Sequence, residues 1–89
     1  MVINSRRSEF EIVSEILTLA KNGTKKTRIL YQTNLSYTQL QNYLNHLLET
    51  DMLKIENSKA SKTYFTTDKG VQVADNIKKT LRELRIISE

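Results

Sequence analysis

The sequence has 89 residues, enough for one domain with a single modest core. It has no cysteine, which excludes disulfide frameworks, thiolate metal sites and cysteine nucleophiles. Its 14 lysines and arginines exceed its 10 aspartates and glutamates, and the net charge of +4 favours polyanionic partners. The excess is localised, since residues 1–34 hold six basic and three acidic residues and the remainder holds eight and seven. No run approaches the roughly 18 apolar residues of a membrane span, so we expect a cytoplasmic protein with no membrane partner.

The start of the chain predicts a helix followed by a short second one. Ser8 and Glu11 have the spacing of a capping box, in which a hydroxyl and a carboxylate each bind a free backbone N–H group. Apolar residues then recur at helical spacing, and Gly23 is a residue that readily ends a helix. These signals predict helices over residues 8–22 and 25–33.

A third helix is predicted after a tight connection at Asn34, because Ser36 and Gln39 repeat the capping-box spacing. Its apolar side chains share one stripe: Leu40, Tyr43, Leu44, Leu47 and Leu48. The opposite face carries amides and hydroxyls: Thr38, Gln41, Asn42 and Asn45. Amides can pair bidentately with adenine and threonine can contact the thymine methyl group, so this face suits base reading in DNA. The alternative is a solvated face, although such faces more often carry lysine and glutamate pairs.

The second half predicts a hairpin and a final helix. Residues 52–55 and 63–66 are rich in strand-forming side chains, and residues 57–62 form a polar, basic tip between them. Thr67 is expected to cap a last helix over residues 68–87. The predicted fold class is mainly α with a small β-hairpin. The order α-α-α-β-β-α is that of a winged helix-turn-helix, with a DNA-binding region over residues 1–67 and a C-terminal dimerisation helix over residues 68–89.

Basic and hydroxyl side chains surround the third helix and suit phosphate contacts, which position a protein on DNA without reading sequence. They are Arg6, Arg7, Lys25, Lys26, Arg28, Ser36, Tyr37, Lys59 and Lys62. Any one of these lysines alone would be expected to serve solubility, but together they group at three places that the fold brings to one side. Tyr37 could instead seal the helix-turn-helix core.

The final helix carries an apolar seam with heptad spacing, formed by Ala74, Ile77, Leu81 and Leu84. The seam could pack on its own domain. Leu81 and Leu84, however, lie beyond what so small a domain can bury, which favours a homodimer joined through this helix.

Two groups of motifs point to a known family. The first group is Arg6-Arg7-Ser8, Lys21-Asn22-Gly23, Lys26-Thr27-Arg28-Ile29, Tyr31 and Asn34-Leu35-Ser36-Tyr37. The second is Thr67-Asp68-Lys69-Gly70, which follows an aromatic strand. With these motifs, about four-fifths of the chain resembles the small archaeal winged-helix DNA-binding proteins of the Sulfolobus ten-a type.

The resemblance implies a DNA-binding homodimer joined by an antiparallel coiled coil of last helices, acting in archaeal chromatin or in transcription regulation. It implies DNA contacts at these matching positions: Lys26, Thr27, Arg28, Ser36, Tyr37, Thr38, Gln41 and Asn42. Two departures stand out. The final helix is shorter than the rod typical of the family, and the hairpin tip at residues 57–62 is expected to be longer than usual.

Other functions have weaker support. With one histidine, no cysteine, no glycine-rich phosphate loop and no spaced metal ligands, the sequence predicts no enzyme, no cofactor, no metal site and no small-molecule ligand. A protein-docking module is the main alternative, but it should expose apolar anchors on the third helix rather than amides. RNA binding would call for aromatic platforms. Few aromatic residues remain for these, because Phe10, Tyr43 and Phe65 are expected to be buried.

Overall fold

A computed structural model describes the backbone of residues 8–88 and the side chains of residues 8–84. It contains four helices and one two-stranded antiparallel sheet within that range, in the order α-α-α-β-β-α. The elements are α1 (Glu9–Leu19), α2 (Lys26–Thr33), α3 (Tyr37–Glu49), β1 (Leu53–Ser58), β2 (Ser61–Thr66) and α4 (Asp68–Ser88). The predicted winged helix-turn-helix is confirmed.

Both predicted capping boxes are present. The Glu11 backbone N–H donates to the Ser8 hydroxyl over 3.1 Å, and the Glu11 carboxylate accepts the Ser8 N–H over 2.9 Å. Ser36 and Gln39 make the same pair of bonds at the start of α3, each 3.1 Å long. Each box satisfies two of the backbone donors that a helix start leaves free, which fixes where α1 and α3 begin.

The connection between α2 and α3 is as tight as predicted. Asn34 caps α2 in the left-handed conformation, with φ of 58°, and its N–H donates to the Leu30 carbonyl. Asparagine tolerates this conformation better than most residues, so the chain can reverse within three residues. This short turn holds α3 at a fixed angle to α2.

One apolar core lies between the helices and the sheet. It is assembled from α1, α2, α3, β1, β2 and the first half of α4. Its most deeply buried side chains are Ile16, Leu17, Ile29, Leu40, Leu44, Leu47 and Leu53. Because the α3 stripe is turned inward, the amide face of α3 is turned to solvent.

The hairpin corrects one prediction. Its strands pair from Leu53 with Thr66 through to Ser58 with Ser61, which leaves a two-residue turn. The expected long tip at residues 57–62 is therefore wrong. Beyond Ile55 every residue of β1 is exposed, so the alternation that marks a strand is absent from this part of the sequence.

A third short segment joins the base of the hairpin. The Thr24 N–H donates to the Tyr64 carbonyl over 3.0 Å, and the Tyr64 N–H donates to the Thr24 carbonyl over 2.8 Å. This bridge ties the chain between α1 and α2 to β2. It anchors the hairpin to the helical part of the domain.

Two further predictions need adjustment, namely the end of α1 and the burial of three aromatic side chains. Helix α1 ends at Leu19 with Ala20 as its cap, three residues before the predicted end. Phe10 was expected to be buried but is 67% exposed, whereas Tyr43 and Phe65 are half-buried. Phe10 lies in the first turn of α1, beyond the reach of the core that the described residues form.

Candidate nucleic-acid interface

The corner between α2 and α3 is held by one lysine. The Lys26 ammonium donates to the Tyr37 hydroxyl over 2.9 Å and also to the Gln41 side-chain oxygen. The same nitrogen lies 4.2 Å from the centre of the Tyr37 ring, a cation–π contact. Gln41 in turn donates its amide N–H to the Asn45 oxygen over 2.9 Å. We call these four side chains the Lys26 network.

Tyr37 is part of the surface, not of the core. Its side chain is 60% exposed, which rejects the interpretation that it seals the helix-turn-helix. The hydrogen bond and the positive charge of Lys26 lower the pKa of the Tyr37 phenol below its ordinary value, and the charge of Lys62 lowers it further. Strand β2 also packs against α2, which carries Lys26.

The polar face of α3 is open to solvent. Thr38, Asn42 and Asn45 are exposed, and Gln41 is half-buried beneath Lys26. The exposed Ser36 hydroxyl accepts the Gln39 N–H in the capping box, so its oxygen already has one structural role. The start of α3 is the positive end of the helix dipole, which favours a phosphate.

The other predicted contact residues fall into two described groups. Lys25, Thr27 and Arg28 are exposed at the start of α2, and Lys26 is half-buried there. Lys59 in the hairpin turn and Lys62 on β2 are exposed. Arg6 and Arg7 lie outside the described residues. The structure thus brings α2, α3 and the hairpin together around the polar face of α3.

The predicted seam on α4 is only partly at the surface. Ala74 is 5% exposed and belongs to the core of its own domain, so it is not available to a second chain. Ile77 and Leu81 are half-buried, and Leu84 is 54% exposed. The seam therefore opens to the surface only in the second half of α4.

An apolar groove that sequence reasoning missed runs along α4 beside α1 and α3. Its wider part has a volume of about 560 Å³ and is lined by residues that include Phe10, Tyr43, His46 and Ile77. A narrower part of about 260 Å³ continues along α4 between Phe10 and Leu84. Burial, and to a smaller extent the charge of Glu9, raise the pKa of Tyr43. No local signal marks this groove because its residues come from three helices distant in sequence.

Among the side chains of residues 8–84, no three histidine, cysteine, aspartate or glutamate residues lie together so that they could hold a metal ion. Within the same range, no helix is both long and apolar enough to cross a bilayer.

Two proteins of known sequence are similar to this chain. The sequence is 32% identical over 78 residues to MJ0290 and 36% identical over 55 residues to MJ0287, two uncharacterised proteins of Methanocaldococcus jannaschii. The match with MJ0290 covers 86% of the chain and 35% of that protein. The match with MJ0287 covers 61% of the chain and 57% of that protein. The chain therefore spans about a third of the length of one relative and somewhat over half of the other.

A DNA-binding protein of known structure has a similar fold. The crystal structure of Sso10a-2, a DNA-binding protein from Sulfolobus solfataricus, superimposes with a TM-score of 0.83 at 25% identity. The match covers 92% of this chain and 86% of that one, which confirms the resemblance found in the motifs. The sequence model of the winged helix-turn-helix family matches residues 6–85, and the chain belongs to this family.

Proposed function

We propose that the protein binds double-stranded DNA, with α3 in the major groove and the hairpin against the adjacent backbone or minor groove. The observation that carries this proposal is the solvent-facing amide and hydroxyl surface of α3, bordered by lysines of α2 and the hairpin. The described DNA binding of Sso10a-2 supports it. In this role the protein acts on the chromosome in the nucleoid, as a transcription regulator or an architectural protein.

The dimensions of α3 fit the major groove. Its 13 residues make a helix about 20 Å long. A major groove about 12 Å wide admits such a helix, and the exposed polar side chains are then within reach of base edges. The positively charged hairpin and the start of α2 flank the helix, where the two phosphate backbones would run.

We also propose that the protein acts as a homodimer. Phe10 and Leu84 are two large apolar side chains that solvent reaches, and both line the narrow part of the groove along α4. A two-fold dimer buries the same surface patch of both protomers against each other. The Phe10 ring of one protomer can then enter the groove of its partner. The pair would then span two half-sites on the DNA.

The competing function is a protein-docking module. Such a module would need apolar anchors on α3. On α3 the large exposed aromatic side chain is Tyr37, and the Lys26 ammonium lies over its ring. The exposed Phe10 and Leu84 side chains lie instead along the groove beside α4. The chemistry of α3 therefore favours a nucleic acid.

The deciding experiment is fluorescence anisotropy of a labelled random duplex titrated with the protein at several salt concentrations. We expect log K to fall with log salt with a slope of about −4 to −8, which corresponds to about 4 to 9 phosphate contacts. The single strand of the same sequence serves as the comparison and should bind more weakly. Absence of duplex binding at low salt would reject the proposal in favour of docking.

A further inference from the structure

Each of the three partners in the Lys26 network accepts one hydrogen bond at its side-chain oxygen, which leaves that oxygen a second lone pair. The Tyr37 hydroxyl oxygen and the Gln41 amide oxygen both accept from the Lys26 ammonium, and the Asn45 amide oxygen accepts from Gln41. All three oxygens belong to side chains on α3. The donor and acceptor pattern of this part of α3 is therefore set before any ligand arrives.

The hydrogen bonds run from Lys26 to Gln41 and from Gln41 to Asn45, and the ammonium group of Lys26 dictates this order of donors and acceptors. An ammonium has three donors and no acceptor, so Gln41 can meet Lys26 only with its oxygen. This orientation turns the Gln41 nitrogen to Asn45, which must then present its own oxygen. One lysine on α2 thus fixes the orientation of two amides on α3 that are four residues apart.

The groups left for a ligand are mainly donors. Gln41 keeps one N–H, Asn45 keeps both of its own, and Tyr37 keeps its O–H. A bidentate pair with adenine needs an amide that turns its oxygen and its nitrogen together to the base, whereas the oxygens of Gln41 and Asn45 are already held within the network. Guanine instead presents two acceptors, N7 and O6, in the major groove.

We propose that Lys26 is a specificity-positioning residue, which orients Gln41 and Asn45 so that they select guanine over adenine at the base pair they face. This inference rests on the proposed DNA binding and adds a base preference to it. The sequence alone predicts that these two amides pair with adenine, as free amides would, and the inference replaces adenine with guanine.

The test begins by selecting preferred duplexes from a randomised library with the wild-type protein. Affinities are then measured by anisotropy, at one salt concentration, for the selected site and for a copy with adenine in place of the guanine. We expect the wild type to prefer guanine by about 5- to 150-fold, the range for one well-made bidentate contact. Replacing the guanine with 7-deazaguanine, which lacks the N7 acceptor, should lower affinity several-fold.

Three variants separate orientation from charge. Lys26→Met keeps the aliphatic stem but removes the donor, and should lower the ratio of guanine to adenine affinity to one or below, because the freed amides would favour adenine. Lys26→Arg keeps a group that cannot accept and should retain the preference. Lys25→Met, at an exposed neighbouring position, should weaken both duplexes by the same factor. Circular dichroism checks that each variant is folded.

The outcomes are distinguishable. If Lys26→Met weakens both duplexes equally and leaves the ratio intact, Lys26 is a phosphate contact and the inference is wrong. Selection of adenine at that position, or of no consensus at all, also overturns the inference but leaves DNA binding standing. Failure of the wild type to bind any duplex would instead overturn the proposed function itself.

Discussion

Gly70 packs directly against the backbone of Met52. A Cβ atom on Gly70 would lie 2.3 Å from the Met52 carbonyl oxygen and 2.6 Å from the methyl group of Thr66. The same carbonyl accepts the Thr67 N–H over 3.0 Å. The first turn of α4 is thus seated on the turn that leads into β1, and only glycine leaves room for it.

We expect Gly70→Ala to destabilise the fold by about 1–3 kcal/mol, because both obstructing groups belong to packed parts of the domain. In an exposed helix the same change would stabilise by up to about 1 kcal/mol, so the sign is diagnostic. Urea unfolding followed by circular dichroism measures the difference. Gln72→Ala, at an exposed position in the same helix, is the control and should stay within about 0.5 kcal/mol of wild type. A stabilised Gly70→Ala protein would show that the contact with Met52 is loose.

The phenol of Tyr37 should ionise below its ordinary pKa of 10.0, because Lys26 stabilises the phenolate. Lys26→Met should raise the pKa of Tyr37, and Lys62→Met should raise it by less. NMR titration of labelled tyrosine measures both effects. The raised pKa of Tyr43, which reflects burial and Glu9, should stay unchanged in both variants and serves as the internal control.

The sign of the linked stability change follows from the lowered pKa of Tyr37. The folded state releases the phenol proton at lower pH than the unfolded state does. The resulting stabilisation is complete above the unfolded pKa and is lost as the pH falls through the folded pKa. If Lys26→Met left the Tyr37 titration unchanged, the Lys26 network would not exist in solution.

Local signals made the helix starts predictable from sequence. The capping boxes at Ser8 and Ser36 depend on residues three positions apart, and the turn at Asn34 depends on a single residue. The order of elements and the inward stripe of α3 followed from the same short-range periodicity. These features gave the winged helix and the polar face of α3 without tertiary information.

Features set by distant parts of the chain were not predictable in this way. Lys26 and Gln41 are fifteen residues apart, and only the angle between α2 and α3 brings them together. Ala74 follows the heptad spacing of the seam, yet the packing of α1 on α4 takes it into the core. Phe10 has the character of a core residue, but the described core does not reach it.

The two exposed hairpin lysines should each contribute about one phosphate contact. Lys59→Ala and Lys62→Ala should each weaken binding to all duplexes alike and reduce the steepness of the salt dependence by about 1. Lys78→Ala is the matched control, since it removes the same charge from the side of α4 that packs near Leu17 and Lys21. Equal slopes for the hairpin variants and the wild type would place the hairpin away from the DNA.

The narrow part of the groove along α4 should be the dimer interface, and Leu84 is the cleanest position at which to test it. Its side chain is 54% exposed in the single chain, so Leu84→Asp leaves the monomer fold intact while placing a carboxylate in the proposed contact. Losing one buried leucine contact costs about 1.5–3 kcal/mol, which raises the dimer dissociation constant by about 10- to 150-fold. Light scattering on a size-exclusion column should give twice the 10.4 kDa chain mass for the wild type and a value near 10.4 kDa for the variant.

Gln72→Asp introduces the same charge at an exposed position of α4 that does not line the groove, and it should remain dimeric. Phe10→Ala removes the other large exposed side chain of the groove and should weaken the dimer without changing the charge. A Leu84→Asp protein with the mass of the wild type would reject the groove as the interface. Dissociation by Gln72→Asp would point to a different surface of α4, because Gln72 does not line the groove.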